Sequence, residues 1–189
     1  MGSSTSKVFD AGFEFDIEFP AFVRKVDKPN DWRERDDDTA DKRVERIVSR
    51  VFRNAEGGVS VFLTKCETDL ARVSIGLNSG RSSLSERLLL LWVKPGELLD
   101  AGLNVAQAPG DTLCDHANRC HHNIDYSQEA LAAVALKLVS ARRDIVTLTP
   151  SRMKDMIAYA ESIGCHATDT ELPSCVCEST GDFLHHPGV

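Results

Sequence analysis

The chain has 189 residues, of which 42% are hydrophobic and 27% charged, and its formal net charge is -7. That size and balance suit one globular domain with a proper core. The negative charge argues against broad binding to a nucleic-acid backbone, which draws on positive charge, and favours a protein partner of basic character. Leu88 to Val93, the longest aliphatic run, is far too short to cross a bilayer.

The first ten residues lack the apolar segment of a secretion signal. The expectation is therefore a cytoplasmic chain whose six cysteines are thiols rather than a disulfide framework. Met1 to Lys7 fits the acceptor pattern for N-myristoylation, with Gly2 as the lipidation site and Ser6 in the favoured place. Against membrane association in a eukaryotic host, Lys7 stands alone and Asp10, Glu14, Asp16 and Glu18 follow, which anionic lipid repels. The competing reading of residues 1–11 is a flexible polar start.

Phe13, Phe15, Ile17 and Phe19 alternate with Glu14, Asp16 and Glu18. This period of two predicts a strand over 12–26, with Pro20 marking an edge or a bulge. The acidic row is a solvated edge in preference to a site for a hard cation. Residues 27–40, ending in Asp36 to Asp38, read as a loop. Val44, Ile47, Val48, Val51 and Phe52 repeat at helical spacing and predict a helix over 41–55. Arg43, Arg46, Arg50 and Arg53 step along one of its sides, and the nearby aspartates are enough to pair them.

Val59 to Thr64 predicts a strand, and Thr68 opens a short helix carrying Leu70, Val73 and Leu77. Leu88 to Val93 is apolar at every position, as a strand covered on both faces must be. Pro95 opens one helical turn that Gly102 closes. Residues 103–126 read as a long loop. Ser127 caps a strong helix ending near Arg143, Ile145 to Leu148 is a short strand, and Thr149-Pro150 opens a last helix that Gly164 stops. The remaining tail shows little periodicity.

Five of the six cysteines and all six histidines lie from residue 114 onward. Cys114, His116, Cys120 and His122, together with Cys175 and Cys177, are the ligand types of a structural zinc site. Such an ion ties the 103–126 segment to the tail. Only one residue separates Cys114 from His116 and Cys175 from Cys177, which is tighter than standard zinc-finger spacing. A set of free thiols is the other reading. A nucleophilic cysteine, Cys114 or Cys120, with His116, His121 or His122 as base and Asp111, Asp115 or Asp125 orienting it, is the enzymatic alternative.

The expected fold is α+β: one compact domain over 12–164, a single mixed or antiparallel sheet with helices packed on it, a long Cys/His-rich loop and an irregular 165–189 tail. The leading functional reading is a non-catalytic interaction or regulatory protein with a structural Cys/His zinc site. A small thiol- or metal-dependent hydrolase using the 111–125 loop, and a myristoylated adaptor, are the alternatives. The single-site idea also expects loop and tail to pack together, with the 127–143 and 150–163 helices beneath both.

Overall fold

The computed structural model describes residues 17–27, 29–33, 35–51, 58–79, 83, 85–108, 110, 112, 114–124, 128–140 and 145–162. Gly2 and the 1–11 start, the 165–189 tail, Asp111 and Asp125 lie outside these. Among the described residues six strands form one sheet: β1 (Ala21–Lys25), β2 (Val59–Thr64), β3 (Leu88–Val93), β4 (Val105–Gln107), β5 (His121–Ile124) and β6 (Val146–Leu148). Their order is β4-β5-β2-β1-β3-β6, and every neighbouring pair is antiparallel. The described residues also form seven helices: α1 (Pro29–Trp32), α2 (Ala40–Arg50), α3 (Glu67–Asn78), α4 (Pro95–Asp100), α5 (Asp115–Cys120), α6 (Gln128–Ser140) and α7 (Pro150–Ser162). The class is α+β, as expected.

Because β1 is antiparallel to both β2 and β3, those two strands run parallel on either side of it. Helix α3 makes the crossover between them. Helices cover both faces of the sheet. On one face Val23, Phe62, Leu88, Leu90, Trp92 and Leu148 meet side chains of α3, α5 and α7. On the other, Phe22, Val59, Val61, Leu91, Val93 and Ile124 meet α2, α4 and α6. The strict alternation of Leu88, Leu90 and Trp92 against Leu91 and Val93 explains why β3 is apolar throughout. Each fully buried aliphatic side chain here contributes roughly 1.5–3 kcal/mol of transfer free energy. Among the described residues no helix is long and apolar enough to cross a membrane.

Three sequence expectations change. Of the strand expected over 12–26, β1 covers Ala21–Lys25, Ile17 to Pro20 stand outside its ladder, and residues 12–16 lie outside the described residues. Pro20 has no N–H to donate, while Ile17 is buried in the core and Glu18 is drawn to Lys94. Phe13 and Phe15 lie outside the described residues. The loop expected over 27–40 contains α1, whose Trp32 is buried beside Ile47 of α2. The loop expected over 103–126 contains β4, α5 and β5. None of these three has a strong local signal. They form because β2 needs a partner for its backbone and α3 needs a cover for its apolar side.

Helix α2 starts at Thr39, whose hydroxyl accepts the Lys42 N–H at 3.3 Å. The arginine stripe is only partly the expected exposed, carboxylate-paired face: Arg46 is buried, and Arg43 meets a backbone carbonyl. Arg43 donates to the Trp32 carbonyl, Arg46 to both Asp38 carboxylate oxygens and to the carbonyls of Asp31 and Arg33, and Arg50 to Asp31. Arg53 lies outside the described residues. These guanidinium groups staple the 29–38 segment to α2.

Candidate functional site

The Cys/His segment begins where α5 lies across α3. Cys114 is the N-cap residue of α5 and Cys120 its last residue, and both are buried with Ala117 against α3. The helices approach closely because position 76 is glycine. A Cβ there would stand 2.6 Å from the Ala117 Cβ and 3.3 Å from both the Cys114 Cβ and the Thr112 Oγ1. Gly76→Ala should therefore destabilise the protein by about 1–2 kcal/mol, because overpacking outweighs the helix-propensity gain. An unchanged or raised unfolding midpoint in denaturant would show that α5 yields freely.

Two residues before Gly76 are turned to the same partner. Asp69 and Arg72 of α3 flank the buried His116. The His116 Nε2 is 3.1 Å from Asp69 Oδ1, and its Nδ1 is 3.5 Å from Arg72 Nη1. A guanidinium only donates, so Nδ1 is the acceptor and Nε2–H donates to the carboxylate. Asp69 Oδ2 accepts the Lys65 N–H at 3.0 Å. One carboxylate thus joins the β2–α3 connection to α5. Burial pushes the Asp69 carboxyl up, but the bonds from His116 and Lys65, with the Arg72 charge beside it, outweigh that and hold it low.

Among the described residues, two further histidines sit in β5, between β2 and β4. His121 Nδ1–H donates to the Ala108 carbonyl at 3.1 Å, and its ring meets Phe62 edge-on at 5.1 Å. His122 Nδ1–H donates to the Cys120 carbonyl at 2.8 Å, and its ring meets Phe22 at 5.3 Å. Both serve as flat aromatic side chains with one satisfied polar atom. Burial lowers the His122 pKa, against the bond to Cys120. Burial also pushes the Cys120 thiol up to about 12, with the Asp69 charge adding to it. Cys66, in contrast, is exposed at the start of α3.

The structure therefore gathers Cys114, His116 and Cys120 around α5 and places His122 on the neighbouring strand. They occupy a helix and a strand, not a loop. Asp115 lies in the first turn of α5. The orienting carboxylate is Asp69, which the sequence reading did not single out. Asp69 and Arg72 are 47 and 44 residues from His116. Their only sequence signal is charge within the α3 stretch that also carries Leu70, Val73 and Gly76. Among the described residues no three Cys, His, Asp or Glu side chains converge as a ligand set for a metal ion. Cys175 and Cys177 lie outside the described residues. Helix α7 shares a face with α5, whereas α6 packs on the opposite face, so the two helices do not lie together beneath the Cys/His segment.

Beside α5 lies an open cleft of about 540 Å³, with Gln107, Ala108, Gly110, Asp115, Asn118 and Arg119 in its walls. It adjoins a recess of about 50 Å³ lined by Leu63, Lys65, Gln107, Arg119, Cys120 and His122. Searches of protein-family models, characterised proteins and solved structures find no match to this chain.

Proposed function

We propose that this chain is a non-catalytic interaction or regulatory module whose Cys/His segment holds the fold rather than performing chemistry. One observation carries the reading: the imidazole best placed by a carboxylate, His116, turns its acceptor nitrogen to the Arg72 guanidinium and not to a thiol. A general base must face the group that it deprotonates. A permanent cation at that nitrogen also opposes a metal ion there, so His116 is a poor zinc ligand. The zinc proposal then rests on Cys114, Cys120 and His122 meeting Cys175 and Cys177. The basic-partner proposal draws on the exposed Asp36 and Asp37, because Asp38 is taken by Arg46.

Native alkylation at pH 8, read peptide by peptide in a mass spectrometer, tests this. Iodoacetamide should modify exposed Cys66 readily and leave Cys114 and Cys120 untouched until the protein unfolds. Rapid native modification of Cys120 would sink the reading and favour a thiol hydrolase. Zinc measured on the same untagged sample addresses the ion. One equivalent per chain, whose removal lowers the melting temperature, would support a structural site.

A further inference from the structure

The sheet ends in β4 on one side and β6 on the other. Which backbone groups each edge leaves open follows from the alternation of an antiparallel ladder. The Ala108 N–H donates to the His121 carbonyl at 3.2 Å, and Ala106 stands opposite Asn123. Ala106 and Ala108 therefore turn their backbone groups to β5, while Val105 and Gln107 turn theirs outward. Among the described residues no backbone group meets those two there. At the far edge the Val26 N–H donates to the Leu89 carbonyl at 2.8 Å, so Leu88 and Leu90 face Leu148 and Val146. Within β6 that leaves Thr147 alone turned outward, and Pro150 soon follows.

The β4 edge lacks the devices that blunt most edges. Leu103 to Ala108 carries no charge and no proline. Ala106 and Gln107 are exposed, and Gln107 and Ala108 border the open cleft beside α5. The edge is also its own complement. Val105 and Gln107 each present one N–H and one C=O, partial charges of opposite sign. A two-fold axis through Ala106 sets Val105 of one protomer opposite Gln107 of its partner, and the reverse. Every outward donor then meets an outward acceptor, and four N–H···O=C bonds close. At the axis Ala106 meets its own copy in a non-hydrogen-bonded pair, where the Cα atoms stand about 4.5 Å apart and a methyl group fits. No like-charged side chains come opposite along β4, which matters for two copies of a chain of net charge -7.

We propose that β4 pairs with β4 of a second copy of this chain, antiparallel about Ala106, and joins the two sheets into one. Three residues a side make a small contact, so the Kd should lie in the millimolar range. The inference goes beyond the non-catalytic reading and stands independently of it, because alkylation reports on the buried thiols and the experiment below on the sheet edge.

The test is disulfide trapping in the full chain, with the exposed Cys66 replaced by Cys66→Ser. Ala106→Cys puts two thiols at the axis, within the roughly 4.4–6.8 Å between Cα atoms that a disulfide spans. Asn104→Cys is the control: position 104 is also exposed, but in this pairing it lies about 13 Å from its copy, four residues' rise along the strand. Under glutathione disulfide, Ala106→Cys should form a covalent dimer at least about tenfold faster than Asn104→Cys, with the link mapped to position 106 by mass spectrometry. In the chain without either added cysteine, the amide signals of 103–108 should move as the protein is concentrated from about 0.05 to about 1 mM. Ala106→Lys sets two cations opposite each other at the axis and should hold those signals still without unfolding the protein. Equal trapping at 104 and 106 would overturn the proposal. So would signals that ignore concentration, or that still move in Ala106→Lys, since self-association then either does not occur or uses another surface.

Discussion

Arg46→Met should lower the melting temperature by roughly 10 °C, since one buried guanidinium satisfies several groups at once. Arg46 donates to Asp38 at 2.6 and 2.5 Å, to the Asp31 carbonyl at 3.1 Å and to the Arg33 carbonyl at 2.8 Å. Methionine keeps much of the stem's packing and removes every one of those donors. The loss should appear first as detachment of the 29–38 segment, with Trp32 fluorescence changing ahead of far-UV circular dichroism. A melting temperature within two degrees or so of wild type would mean that water replaces these bonds at little cost.

The same variant has a pH signature. The Asp38 carboxyl is held at about 2, first by the side-chain hydrogen bonds from Arg46, against burial, and then by the Arg35 N–H and the nearby positive charges. A carboxyl lowered in the folded state contributes stability that is fully present above its unfolded value near ~4 and is lost as the pH falls through its folded value. Wild type should therefore lose stability between about pH 4 and pH 2 through this group, and Arg46→Met should show a shallower decline over that window. Parallel acid curves for the two proteins would remove Asp38–Arg46 as the cause.

The second large effect is expected at His116. His116→Leu should cost about 3 kcal/mol, because it leaves the Asp69 carboxylate and the Arg72 guanidinium facing an apolar side chain in a buried place. His116→Gln should cost about 1 kcal/mol or less, since a carboxamide can donate to Asp69 and accept from Arg72 as the neutral imidazole does. This contrast separates a structural lock from a catalytic group. Urea unfolding measures it directly, and equal losses in the two variants would show that ring shape, not hydrogen bonding, holds α5 in place.

Much of the fold was legible from side-chain pattern. The apolar run of β3, the helical stripe of α2 and the Thr149-Pro150 start of α7 each carry a local signal, and each element formed where expected. Thr149 accepts the Arg152 N–H at 3.3 Å, as a cap should. Those signals are local because a strand buried on both faces or an amphipathic helix must repeat at its own period. Of the acidic run beside the arginine stripe, Asp38 pairs with Arg46, while Asp36 and Asp37 stay exposed.

The 103–126 segment was illegible for the converse reason. His121, His122 and Asn123 are poor strand formers, and six residues are too few for a stable isolated helix. What makes β5 a strand is the unpaired edge of β2, and what makes α5 a helix is the α3 surface opened by Gly76. Neither partner is near in sequence. The same holds for the site: Asp69 orients His116 across a packing contact, whereas the sequence offered only the neighbouring Asp111, Asp115 and Asp125.

The sequence by itself determined the α+β class, the doubly covered strand and the concentration of thiols and imidazoles toward one end. Tertiary structure alone decided what those side chains do. It paired His116 with Asp69 and Arg72, pressed His121 and His122 onto phenylalanines and buried Cys120. Composition fixes which chemistries a chain can offer. Which of them remains open to solvent depends on the groups brought opposite, and those come from remote parts of the chain through packing that no local pattern records.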